Sequence, residues 1–212
     1  MPPARLRRPR LRRLRRPPRP HGRRPAPRPP RPVGPRRTTR RQETDPLEVL
    51  RFAATAGREV SDRIEAALRA LEVQAVPCAT PTPGTADVMA TAHRAGKRLA
   101  VVSNNSDAAV KLYTDSHGLS GLIDVISARG MASDPGLLKP HPHLVRQAIE
   151  GLDADPATCV LVGDSTADIL SAHSAGIPCI GYANKPGKAD RLSTAGADTI
   201  ITHMTDLLPA TT

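Results

Sequence analysis

From residue 84 onward, apolar positions recur in two alternating rhythms. Short runs of consecutive aliphatic and β-branched residues are separated by stretches in which apolar side chains return at helical spacing. This pattern predicts helices over 84–95, 106–117, 143–151, 166–175 and 187–195, strands over 98–103, 123–127, 159–163, 178–181 and 199–202, and a short terminal helix. Strands alternating with helices imply an α/β fold, a three-layer doubly wound parallel sheet with helices on both faces. Upstream, Leu47, Val49, Leu50 and Phe52, then Val60, Ile64, Ala67, Leu68 and Leu71, fall at helical spacings and predict two helices broken at Gly57. Cys78-Ala79-Thr80-Pro81-Thr82-Pro83-Gly84 then reads as a linker. The organisation expected is a segment 1–41, a helical unit 42–77 and an α/β core 78–212.

The carboxyl ends of the expected strands carry the candidate chemistry. Val160-Leu161-Val162-Gly163 is followed at once by Asp164, and Asp168 lies one helical turn further on. In an open parallel sheet ligands bind at this edge of the strands. Two clustered hard oxygen donors suit Mg²⁺, which completes its shell with water and phosphate. The competing reading of the same residues is an Asp/Ser helix N-cap without metal. A second apolar run, Leu99-Ala100-Val101-Val102, ends in Ser103-Asn104-Asn105-Ser106, a strand edge bearing hydroxyl and amide donors. Leu137-Leu138-Lys139-Pro140 places a lysine before a proline, which aims Lys139 from a loop.

Ser103 after its strand, Lys139-Pro140, and Gly163-Asp164-Ser165-Thr166-Ala167-Asp168 together resemble, in order, the second, third and fourth motifs of the haloacid dehalogenase-like hydrolases. The resemblance extends over residues 76–208. It implies a phosphatase of a small phosphorylated metabolite in which an aspartate beside Mg²⁺ attacks phosphorus. It further implies that Ser103, with Asn104, binds phosphoryl oxygens, that Lys139 neutralises them and the nucleophile, and that Asp164 and Asp168 hold the metal. Dehalogenation in the same family needs no metal, and the Asp164/Asp168 pair weighs against it. Residues 42–77 would be the remnant of a small helical cap inserted after the first strand. The family's first motif, an apolar strand ending in Asp-x-Asp-Gly that supplies the nucleophile, does not occur in the 212 residues. Asp45 precedes a proline and follows no strand, and Asp87 lies inside a helical pattern. The missing strand would run between those ending at Ser103 and Asp164. The different-class reading is a catalytically inactive α/β module that binds a phosphorylated ligand, or nucleic acid through the basic segment.

Charge changes the picture only for residues 1–41, which hold 17 Arg, 12 of the 23 Pro and no acidic residue. The remaining residues carry 31 − 17 = 14 Lys+Arg against 20 Asp+Glu, a net −6, so the overall +11 belongs to this segment. Such a composition cannot offset chain entropy by burial, and disorder is expected. A nucleic-acid arm would suit the charge, but no aromatics are interleaved for base stacking. No apolar core of a signal peptide is present. Asp-Phe-Asp-Gly, encoded in GC-rich DNA and read one nucleotide out of frame, becomes Arg-Leu-Arg-Arg, which occurs at residues 5–8 and 10–13. A shifted frame or a wrongly chosen start is therefore the expectation for 1–41.

Three cysteines, Cys78, Cys159 and Cys179, without pair spacing imply buried or half-buried thiols in the reducing cytoplasm. His141-Pro142-His143 lacks further ligands for a metal site. One Phe and two Tyr leave little for stacking on an aromatic substrate. No apolar run is long enough for a membrane span. Substrate identity and oligomeric state are not legible.

Overall fold

The computed structural model describes residues 45–208; the readings of 1–41 fall outside them. Helix α1, Pro46–Thr55, starts where the Asp45 side chain accepts the Leu47 N–H at 2.9 Å and Pro46 occupies a position needing no donor. It is separated from α2, Arg58–Ala75, by Gly57 at φ +113, a backbone state that side chains rarely adopt. Asp45 is thus a helix cap, and Asp87 lies in α3, Thr85–Arg94.

Five parallel strands follow in alternation with helices: β1 Ala100–Ser106, α4 Asp107–Ser116, β2 Val125–Arg129, α5 His143–Gly151, β3 Leu161–Gly163, α6 Thr166–Ala175, β4 Cys179–Tyr182, α7 Lys188–Thr194 and β5 Thr199–Ile201. A short 3₁₀ turn, Met204–Leu207, stands where the terminal helix is expected. Helix α4 packs on β1 and β2, while α5 packs on the same strands and abuts α6, which lies on β3 and β4; α7 covers β4 and β5. Connections running in opposite directions along a sheet fall on opposite faces when crossovers are right-handed, which yields the helix–sheet–helix layering. No helix among the described residues is long and apolar enough to cross a membrane.

The expected single sheet is in two parts. Strand β1 pairs with β2, and β3 pairs with β4 and then β5, but no ladder joins β1 to β3 among the described residues. Central strands of such sheets are normally buried on both faces. Here Ala100, Val101 and Val102 are only half-buried, as are Leu161 and Val162, and Val160 is 53% exposed. Two apolar clusters flank the break. One gathers Val145, Ile169, Ala172, Ile177, Cys179 and Leu192, the other Leu50, Leu138 and Leu144, and Val102 packs against both.

Apart from the end of β3 and the start of β5, every strand end lies one to three residues from the sequence pattern, furthest at the end of β1. β1 runs beyond Ser103 to Ser106 because its register shifts: Ser103 lies opposite Ala128, but the next pair is Ser106 with Arg129. β2 begins at Val125, and the Asp124 carboxylate just before it accepts the Leu99 N–H at 2.7 Å.

Candidate active site

The ends of β1 and β3 are brought together by one side chain. Lys139, in the loop before α5, sends its ammonium group to the Val102 carbonyl at 2.9 Å and to Asp168 Oδ1 at 2.6 Å. The lysine and carboxylate side chains are 11% and 9% exposed, so the pair is shielded from solvent screening. Ser103 lies one residue beyond Val102, where its Oγ accepts the Asn105 N–H at 3.1 Å and keeps its own proton to donate.

Asp168 is shaped by the start of α6. Ser165 caps the helix, and the Asp168 carboxylate returns to the cap backbone, a reciprocal capping box. Its Oδ2 accepts from Asp164 N at 3.1 Å, Ser165 N at 3.0 Å and Ser165 Oγ at 2.7 Å. Burial opposes ionisation, yet the Lys139 ammonium and the hydrogen bonds from Lys139 and Ser165 hold its carboxyl below the ordinary 3.8. Gly163 makes this fold-back possible, since a Cβ there would stand 2.3 Å from Asp168 Cβ.

Asp164 is half exposed, and its Oδ2 accepts Lys188 Nζ at 2.6 Å. Lys188 also donates to Asn184 Oδ1 at 2.9 Å. Sequence reasoning missed Lys188. Its signal was a lysine in the first turn of a helix, against the helix dipole and just past a strand's carboxyl end, which calls for a nearby carboxylate.

Two of the expected site residues carry protein hydrogen bonds of their own. Asp168, the expected second metal ligand, accepts three donors on Oδ2 and Lys139 on Oδ1, so it is also helix cap and lysine counter-ion. Asn104, expected on phosphate, turns its side-chain amide to the main chain of Lys139, with Oδ1 accepting Lys139 N–H at 2.8 Å and Nδ2 donating to Lys139 O at 3.1 Å. Asp164, with Oδ1 unbonded to protein among the described residues, fits a Mg²⁺ ligand. No group of three or more His, Cys, Asp and Glu able to hold a metal occurs among those residues, and a Mg²⁺ bound at Asp164 would have to complete its shell from water, phosphate or other protein oxygens. His141 is tied up locally, accepting the His143 N–H at 3.2 Å. All three cysteines are free; Cys78 is exposed, contrary to expectation, and burial pushes the Cys179 thiol up to about 12.

The parallel α/β frame has relatives among known proteins. The family model described as haloacid dehalogenase-like hydrolase matches residues 30–176, more than half of the 212. The chain belongs to the haloacid dehalogenase-like hydrolases. Over 132 residues it is 37% identical to the plasmid phosphoglycolate phosphatase of Cupriavidus necator, covering 60% of this chain and 54% of that protein. Among solved structures, CbbY from Rhodobacter sphaeroides in complex with phosphate is 30% identical at a TM-score of 0.55, covering 64% of this chain and 60% of that one. CbbY in complex with xylulose-1,5-bisphosphate is 33% identical at a TM-score of 0.50, covering 57% and 53%. The chain spans about half the length of the curated relatives it matches.

Proposed function

We propose that this chain carries most of the site of a cytoplasmic Mg²⁺-dependent phosphatase of a small phosphorylated metabolite, whose nucleophilic aspartate would stand on a strand between β1 and β3 that ends in Asp-x-Asp-Gly, a sequence the 212 residues lack. The observation that carries the reading is Lys139, whose ammonium joins the Val102 carbonyl of β1 to Asp168 in the first turn of α6, while no ladder joins β1 to β3 among the described residues. Relatives that are phosphoglycolate phosphatases, and CbbY bound to phosphate and to a sugar bisphosphate, support this substrate class.

In this reading the Ser103 hydroxyl donates to a phosphoryl oxygen and Lys139 offsets its charge, while Asp168 fixes the direction of the ammonium. The first carboxylate of the inserted Asp-x-Asp-Gly attacks phosphorus as the bond to the substrate oxygen breaks, and the second Asp protonates the departing oxygen; the same residue then takes a proton from the water that cleaves the acyl phosphate, which releases phosphate and regenerates the nucleophile. Lys139 and Lys188 balance Asp164 and Asp168, so the nucleophilic carboxylate of the inserted strand and an entering phosphate dianion would both lack a counter-charge. Mg²⁺ held by Asp164 would supply the missing charge and polarise the phosphoryl oxygens. A second reading, an inactive module that only binds a phosphorylated ligand, is favoured by the absence of Asp-x-Asp-Gly from the 212 residues.

The test compares this chain with a version carrying an in-frame strand ending in Asp-x-Asp-Gly. The unmodified chain is expected to hydrolyse a generic phosphate ester no faster than its Lys139→Ala variant, and the restored version to do so with Mg²⁺. Robust hydrolysis by the unmodified chain, lost on changing Asp45 or Asp87, would overturn the placement of the nucleophile. Phosphate binding without turnover by the restored version would favour the inactive module.

A further inference from the structure

We propose that Asn104 is the positioning residue of Lys139, and that Arg129, gripped by Glu65 and Glu72 of α2, holds Asn104 in place, so that the seating of the α1–α2 hairpin sets the lysine. This rests on the reading of Lys139 as a working residue of the site, and it concerns what aims that lysine.

Asn104 treats residue 139 as one peptide treats another. Its amide accepts the Lys139 N–H and donates to the Lys139 carbonyl, pinning the backbone on both sides of the Lys139 Cα. Aspartate at this position lacks the donor, and serine is too short to make both bonds. Asn104 is free for the task because it lies in the register shift of β1, between the Ser103–Ala128 and Ser106–Arg129 pairs.

The bulge is held from below by Arg129, whose side chain is 1% exposed at the carboxyl end of β2. Its Nε donates to the Asn104 carbonyl at 3.0 Å. Its Nη1 pairs with Glu65 Oε2, and its Nη2 with Glu72 Oε1 at 2.6 Å. Glu72 Oε2 in turn accepts the Ser106 N–H at 2.8 Å, so α2 grips the bulge on both flanks. Helix α1 reaches the same point directly, with Arg51 Nη2 donating to the Lys139 carbonyl at 3.2 Å. Both helices of the hairpin therefore end on residue 139, one through Arg51 and the other through Arg129 and Asn104.

Leu50, with Ile64 and Leu68, already docks the hairpin on Leu138 and Leu144, whereas a buried ion group gives up hydration that its pairing only partly returns. Glu65 Oε1 is buried with no hydrogen-bond partner, a further cost. What charged hydrogen bonds add is direction: a guanidinium fork bonded on three nitrogens has one orientation, and it passes that orientation to the Asn104 carbonyl.

Competitive acetylation of the full chain, read at each lysine by mass spectrometry, tests this. Lys139 should react about ten-fold more slowly than exposed Lys97 and Lys185, in keeping with its network of bonds. Asn104→Ala should raise the Lys139 rate about five-fold while Lys188, in the same site but outside the network, stays unchanged. Asn104→Asp, which keeps only the acceptor, should fall between, and it decides the matter if Asn104→Ala does not fold. The triple change Arg129→Met, Glu65→Gln, Glu72→Gln removes the charges together, leaving none buried alone. It should release Lys139 as Asn104→Ala does, with no further release when the two are combined. A Lys139 rate unmoved by these variants, or rising in step with Lys188 and Lys111, would overturn the proposal. Failure of the phosphatase reading would appear in the hydrolysis test and would leave these labelling ratios untouched.

Discussion

Lys139 and Asp168 are the two residues on which the site depends, and each is legible through the other. Removing the ammonium by Lys139→Met leaves a carboxylate that is nine-tenths buried without its counter-charge. Breaking a buried pair from one side typically costs about 3–5 kcal/mol; urea unfolding should show a loss of that order, and Lys139→Met with Asp168→Asn should recover part of it. The pH dependence follows from the same contact. The Asp168 carboxyl titrates below its ordinary 3.8 in the folded chain, so its contribution is fully present above that value. It is lost as pH falls through the lower folded value. Acid unfolding of the Asp168→Asn variant should be correspondingly flatter below pH 3.8.

At the scale of elements, the β3–α6 junction shows how a short motif works. Gly163, Ser165 and Asp168 were visible as a strand end, a cap and a second acid, yet their interdependence was not. The Asp168 side chain folds back over Gly163 to reach the cap backbone, and a methyl group at 163 would collide with Asp168 Cβ at 2.3 Å. Gly163→Ala should therefore destabilise by about 1–3 kcal/mol, the usual cost of overpacking. It should also push Asp168 away from Lys139, which a rise in Lys139 acetylation would register. The α1–α2 hairpin was equally legible as two helices broken at Gly57. Its bond to the site was not, because Glu65, Glu72 and Arg129 are far apart in sequence and look like ordinary surface charges until β2 and α2 meet.

For the whole molecule, the governing feature is the interrupted sheet. No ladder joins β1 to β3 among the described residues, and each buried backbone group left unpaired costs about 1–3 kcal/mol. Against a net stability of about 5–15 kcal/mol, a few such groups are decisive. The chain is expected to melt broadly and to be poorly soluble, as long unpaired apolar edges tend to be. Hydrogen exchange should find the Val162 amide, on the open side of β3, faster than Leu161, whose N–H is bonded to the Pro178 carbonyl at 3.0 Å. Inserting the in-frame strand should slow Val162 and restore a single cooperative transition. Equal protection at the two amides in the unmodified chain would argue against an open edge.

The order of strands and helices from residue 84, the break at Gly57 and the strand ends carrying Ser103, Asp164 and Asp168 were determined by the sequence alone, because hydrophobic period, caps and glycines act over a few residues. The motif order sufficed for the family. Only the tertiary structure decided that Asp168 is a cap and counter-ion, that Asn104 grips the Lys139 backbone, that Lys188 faces Asp164 and that Arg129 is buried between two glutamates. Those roles depend on which hydrogen-bond donors come within about 3 Å of a given acceptor. That distance is set by how elements distant in sequence pack, which local pattern does not encode.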